Sequence, residues 1–285
     1  MKKILKKLFI FIVTVNFLGI ILECTIVRGD SETIITNASI AKDRLQTIKE
    51  KGVITVASPL SDIAYFYIDN NTNKIAGIEA DIITEIAKRL GIDKIESKNV
   101  QFSNLLEKLN IDDSIDISAG GIFITPEREK VVGFTEPLYK ASDSIVVPMF
   151  SNINFKDDLK NGVVGVEKGT VYMDLAEQWK KDNLIKDVVI FENTPELLNA
   201  INSNMIHAGL VDSIIIKYSL INEKNLNLRT LKGYTPEITG SVGIAVRKND
   251  STLLNALNEK ISEMKADGTL YAILRENGLD KDNMA

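Results

Sequence analysis

From residue 53 onward the chain alternates short apolar runs with stretches in which apolar residues recur every three or four positions. Val53 to Ala57 is a run of the first kind and predicts a buried strand. Ile82, Ile83, Ile86, Ala87 and Leu90 follow helical spacing and stop at Gly91. Lys94 to Val100 predicts a strand, Phe102 to Leu109 a short helix, and Ile115 to Ser118 another short strand. The second half repeats the pattern. Strands are predicted at Ile145 to Met149, Val163 to Val166, Val188 to Phe191, Ala208 to Val211 and Val242 to Val246. Helices are predicted over Val171 to Lys181 and Pro195 to Ser203, from Asp212 to about Leu220, and from Thr252 and Thr269. A helix over Ala41 to Lys51, ended by Gly52, precedes the first strand, and Asp69-Asn70-Asn71-Thr72-Asn73 reads as a turn. Such alternation argues for an α/β fold with largely parallel sheets.

The N-terminus is patterned differently. Lys2, Lys3, Lys6 and Lys7 precede an apolar run from Leu8 to Leu22, the order of an export signal. Residues 1–29 are expected to be that signal and residues 30–43, polar and short-sided, a tether. A cut after Gly29 leaves 29 basic and 38 acidic residues, a net charge of about −9 against −5 for the whole chain. An acidic surface argues against a polyanion partner, and no basic patch points to nucleic acid. Cys24 is the only cysteine. Leu22-Glu23-Cys24 falls where bacterial lipoproteins carry their modified cysteine, although Glu23 stands where a small residue is expected. Lipidation at Cys24, a plain cleaved signal and a retained anchor stay open. All three place the protein outside the cytoplasm, with the membrane touched only through this N-terminal segment.

Catalytic motifs are sparse. His207 is the only histidine and lies between apolar neighbours, so a His-based triad or a His/Cys metal cluster is not expected. The sequence holds no phosphate-cradling glycine loop. No cofactor, no metal and no enzymatic activity are expected.

The most informative stretch is Ala119-Gly120-Gly121-Ile122-Phe123-Ile124-Thr125-Pro126-Glu127-Arg128. It reads as the end of a buried strand, a glycine-rich turn and a helix start. Thr125 suits the N-cap and Pro126 the first helical position. Arg128 then places a permanent cation beside a helix end that attracts anions, a setting that suits a small carboxylate.

Gly121-Ile122-Phe123-Ile124-Thr125-Pro126-Glu127-Arg128, followed by Val131 to Tyr139, resembles the solute-binding proteins of polar-amino-acid ABC transporters. Gly52 to Ala57, Gly77 to Ile82, Gly165 to Thr170 and Ala208 to Asp212 resemble further blocks of that family, in the family's order, and the likeness spans roughly residues 44 to 280. The resemblance implies a two-lobe, type II periplasmic-binding-protein-like fold with a central ligand cleft and two hinge crossovers. Lobe 1 would comprise residues 44–143 and 244–285, and lobe 2 residues 144–243. It implies that Arg128 forks onto the carboxylate of a free α-amino acid and that Asp212 pairs with its ammonium. Gly121 and Phe123 match positions whose backbone faces the ligand, although many members have Ser or Thr at Phe123. Phe102 and Tyr65 match aromatics beside the ligand side chain, and Thr170 a carboxylate-facing turn. Asp62 and Glu167 match side-chain-facing positions and lean toward a polar or cationic ligand. Taken without the family, Asp212 and Thr170 are helix caps and Phe102 is a core residue. A membrane permease is the implied partner, and the protein is expected to be a monomer. Two other readings share the fold: an exported cyclohexadienyl or arogenate dehydratase, with Glu167 as the candidate acid, and a ligand-binding partner of a membrane sensor.

Overall fold

The computed structural model describes residues 43–61, 63–69 and 71–284. The expected signal and tether, Cys24 and Asp62 lie outside the described residues.

Two mixed sheets organise the chain. In the first, Val53–Ser58 lies between Lys94–Asn99 and Ile117–Ser118, parallel to both, with Val53 opposite Lys94 and Ala57 opposite Ser118. Ala245–Val246 then joins antiparallel between Ile117–Ser118 and Gly133–Phe134. In the second, the order is Leu228–Thr230, Tyr139–Pro148, Ala208–Asp212, Val163–Glu167, Asp187–Phe191. Ala208–Asp212 is parallel to Val163–Glu167 and antiparallel to Tyr139–Pro148. Every residue of Ala208–Asp212 is buried, which is why this strand reads as a short continuous apolar run rather than an alternating one. The sheets are parallel at their βα units and antiparallel where the chain crosses between lobes, so the expectation of largely parallel sheets holds only for the former.

Helix Ile78–Leu90 buries Ile82, Ile83 and Ile86 and packs on Ser251–Ala266, whose Leu253, Leu257 and Ile261 are fully buried. Each such side chain contributes about 1.5–3 kcal/mol relative to exposure. The C-terminal helices thus return to the lobe begun by the N-terminal strands. Gly91 closes Ile78–Leu90 in the left-handed conformation (φ 70°), as its place after Leu90 predicts.

Several elements differ from their sequence-based limits by a residue or two, and three differ more. The strand expected from Ile145 begins at Tyr139 and runs ten residues, because its first four pair with Thr239–Val242 before the rest enter the second sheet. The strand expected over Val242 to Val246 divides into Thr239–Val242 and Ala245–Val246, the first serving the crossover and the second the first sheet. The helix expected from Phe102 opens as the 3-10 turn Phe102–Asn104 and continues as Leu105–Ile111. Tyr139 to Ser142 and Thr239 to Val242, paired antiparallel, carry the chain between the lobes. Away from the crossovers, Tyr67 and Tyr218 hydroxyls meet at 2.7 Å, and Lys217 Nζ donates to the Gly278 carbonyl at 2.9 Å. Arg44–Ala285 accordingly forms one compact unit.

Candidate ligand-binding site

The glycine turn behaves as a rigid corner. Ala119 N–H donates to the Ala57 carbonyl, and the chain then turns through Gly120 (φ 127°) and Gly121 (φ 74°). A Cβ on Gly121 would lie 2.4 Å from Tyr65 Cε2, so both the backbone angle and the ring above it require glycine. Phe123 pairs with Val242 as an isolated bridge, and Ile124 N–H donates to Ser241. Thr125 caps Pro126–Glu129, its Oγ1 accepting from Arg128 N–H at 3.3 Å, as predicted.

That helix has only four residues, so the anion-attracting helix end expected there is replaced by the Arg128 side chain itself. The guanidinium turns back, donating from Nη1 to the Phe123 carbonyl at 2.9 Å and from Nη2 across the cleft to the Gly169 carbonyl at 3.0 Å. Its carbon sits 5.5 Å from the centre of the half-buried Phe102 ring, within cation–π range.

Asp212 faces Arg128's lobe from the second one. It is buried and caps Ser213–Asn222, Oδ1 accepting from Ile214 N–H at 2.8 Å and Ile215 N–H at 3.3 Å. Oδ1 also accepts from the Tyr65 hydroxyl at 2.6 Å, and Oδ2 from the Tyr172 hydroxyl at 2.7 Å. Capping and cleft-facing roles therefore coexist on one carboxylate. Burial raises its pKa above the usual carboxylate value, and the hydrogen bonds from Tyr65, Tyr172, Ile214 and Ile215 oppose that. The two tyrosine hydroxyls are pushed well up, first by burial and next by the Asp212 charge.

Tyr65, Phe102, Gly121, Phe123, Arg128, Glu167, Thr170 and Asp212 line one cavity between the lobes, so eight of the nine sequence-predicted residues converge; the ninth, Asp62, lies outside the described residues. The cavity is narrow, with a volume of about 30 Å³, space for a water or two. Glu167 is buried, and its Oε2 accepts from Thr194 Oγ1 at 2.5 Å. Thr170 Oγ1 accepts from Met173 N–H at 3.3 Å and donates to the Glu167 carbonyl at 2.7 Å, so its hydroxyl serves the helix start. The Phe123 ring lies over Gly240 and edge-on to Tyr172, with centroids 5.9 Å apart. One expectation is corrected. The Gly121 N–H does not face the cavity; it donates to Glu79 Oε1 at 2.9 Å, because that buried carboxylate lies behind the turn.

Sequence reasoning missed Tyr172 and Thr194, and it gave Glu79 only the role of positioning the helix entry. Tyr172 falls at helical spacing with the buried Ala176 and Trp179 and so reads as core. Thr194 follows the true cap, Asn193, whose Oδ1 accepts from Glu196 N–H. Glu79 reads as an acid of a helix first turn. His207, 44 residues from its partner, accepts from Val163 N–H through Nδ1 at 3.1 Å and stays structural.

The sequence pattern of bacterial extracellular solute-binding proteins, family 3, matches residues 54–279. A probable histidine-binding protein of Neisseria gonorrhoeae is 27% identical over 231 residues, 80% of this chain and 84% of its own length. The ABC transporter glutamine-binding protein of Bacillus subtilis (strain 168) is 29% identical over 242 residues, covering 82% and 84%. Among solved structures, an ancestral arginine-binding protein bound to arginine is 30% identical and superposes with a TM-score of 0.71, over 80% of this chain and 98% of that one.

Proposed function

This chain belongs to the bacterial extracellular solute-binding proteins, family 3, and we propose from that premise that it captures a free α-amino acid with a polar or cationic side chain for an ABC importer. It would act outside the cytoplasm and deliver the ligand to a membrane permease. The observation that carries the reading is the meeting of Arg128 and Asp212 on one cavity from different lobes. A zwitterion needs donors for its carboxylate and an acceptor for its ammonium. Arg128 spends two of its five N–H groups on the Phe123 and Gly169 carbonyls, which leaves donors for a carboxylate. Asp212 is the acceptor for the ammonium.

The side-chain preference rests on Glu167. It is the second buried carboxylate of the cavity lining, and it accepts from Thr194 Oγ1. A buried acid in a cleft favours a ligand group that supplies positive charge or hydrogen-bond donors, because such a group adds to the stabilisation of the carboxylate while an apolar one adds nothing. Relatives named for binding histidine, glutamine and arginine agree with that chemistry.

The test is a thermal-shift screen of the common amino acids followed by calorimetry. A ligand present at about 100 times its Kd stabilises by about 2.7 kcal/mol. Basic and amide amino acids should shift the melting temperature most, and Glu167→Gln should weaken arginine and lysine more than glutamine. A response confined to leucine, isoleucine and phenylalanine would overturn the side-chain preference, and no response to any amino acid would overturn the function.

A further inference from the structure

We propose that Glu79 is a positioning residue of this site, a buried carboxylate that locks the glycine turn and the first crossover strand into the geometry from which ligand is bound. The inference rests on reading the cavity as the ligand site, and it concerns a side chain that does not line it.

Glu79 is fully buried in the first turn of Ile78–Leu90. Its Oε2 accepts from Gly120 N–H at 2.5 Å, and its Oε1 accepts from Gly121 N–H at 2.9 Å and from the Tyr139 hydroxyl at 2.5 Å. One carboxylate thus joins a helix start, the turn before Phe123 and Arg128, and the first residue of the strand that crosses between lobes. The turn needs an outside acceptor. With Gly120 and Gly121 both at positive φ, two successive N–H groups point away from the cavity and into the protein, where an unpaired donor is costly. A neutral amide would bring only one oxygen to three donors. The next acid, Asp81, is exposed and meets Asn277 instead, so the sequence places one acid inward and one outward from the same helix start.

The clamp also reaches the cleft. Tyr139 stacks on Tyr65, with centroids 5.9 Å apart and planes at 20°. Tyr65 in turn covers Gly121 and donates to Asp212. A shift of Tyr139 therefore moves the ring beside the ligand space. Burial raises the Glu79 pKa while Tyr139, Gly120 and Gly121 oppose it, which matches a carboxylate kept in place by donors rather than by a cation.

The experiment compares the full chain with Glu79→Gln, Tyr139→Phe and the double variant, by amide hydrogen exchange without ligand and by calorimetry with the best amino acid from the screen. In Glu79→Gln, the Gly120 and Gly121 amides should lose about tenfold or more of their protection while the amides of Val53–Ser58 keep theirs, and Kd should rise about tenfold or more. Tyr139→Phe should raise Kd by a smaller factor, and the double variant should bind no worse than Glu79→Gln, because both changes break one shared contact. Uniform loss of protection with an unchanged Kd would make Glu79 a stabiliser only and overturn the proposal. Should Glu79→Gln fail to fold, Tyr139→Phe decides alone: a wild-type Kd together with an unchanged Gly121 amide overturns it. If the wild type binds no amino acid, the functional reading falls, and the exchange pattern still decides whether Glu79 locks the turn.

Discussion

Tyr65 and Asp212 join the two lobes directly: the tyrosine hydroxyl donates to Asp212 Oδ1 at 2.6 Å from the opposite side of the cleft. The carboxylate assigned to the ligand ammonium therefore already holds a donor from the other lobe. An ammonium has to share Asp212 with Tyr65 and Tyr172 or displace one of them. In either case its gain is the difference between two hydrogen-bonded states, and only that difference shifts the balance between open and closed forms.

Asp212→Asn should therefore weaken amino-acid binding strongly. The amide oxygen can still cap Ser213–Asn222, so the free protein should keep its helical signal. Small-angle scattering should show the wild type contracting with ligand and the variant contracting only at far higher concentration. Contraction at equal concentrations would reduce Asp212 to a cap.

Arg128→Ala removes a cross-lobe hydrogen bond together with the cation proposed for the ligand carboxylate. Losing one partner of a desolvated charge pair costs about 2–5 kcal/mol of binding, roughly 30-fold or more in Kd. Calorimetry with the best screened amino acid checks this. Unchanged affinity would remove Arg128 from the site.

The raised pKa of Asp212 sets two opposite pH trends. The unfolded carboxyl releases its proton near pH 4, and the folded one releases it higher because burial dominates. Across that window the native state holds a proton the unfolded state has lost, so this group's contribution to stability falls as pH rises. Ammonium binding needs the ionised form, so affinity rises through the same window and levels off above it. Melting curves of wild type and Asp212→Asn isolate the first trend as a difference, since Asp112 and Asp267 at the surface, both lowered to about 2, act in the other direction. A difference that grows in favour of the wild type with rising pH would refute the assignment.

Gly121→Ala and Gly268→Ala separate strain from contact. Both glycines have positive φ, 74° and 81°, but a Cβ meets Tyr65 at 2.4 Å in the first and nothing within 4 Å in the second. Gly268→Ala should cost about 1–2 kcal/mol, the usual penalty of that conformation, and leave binding unchanged. Gly121→Ala should cost more and weaken binding, since the Tyr65 ring has to move. Equal melting temperatures for the two variants would mean that the ring yields freely.

Thr125, Thr170 and Asp212 were legible as helix caps, and the alternation of apolar runs as an α/β chain, because caps and periodicity are properties of a few neighbouring residues. Arg128 was legible from its place after the glycine turn. What Asp212 touches was not: Tyr172 lies 40 residues away and Tyr65 147 residues away, and no local pattern encodes such pairings. The inward turn of Glu79, the ten-residue reach of Tyr139–Pro148 and the return of Arg128 onto carbonyls were decided in the same way. A buried polar group takes whichever partner the packed lobes bring within reach, and local sequence can say only that it will need one.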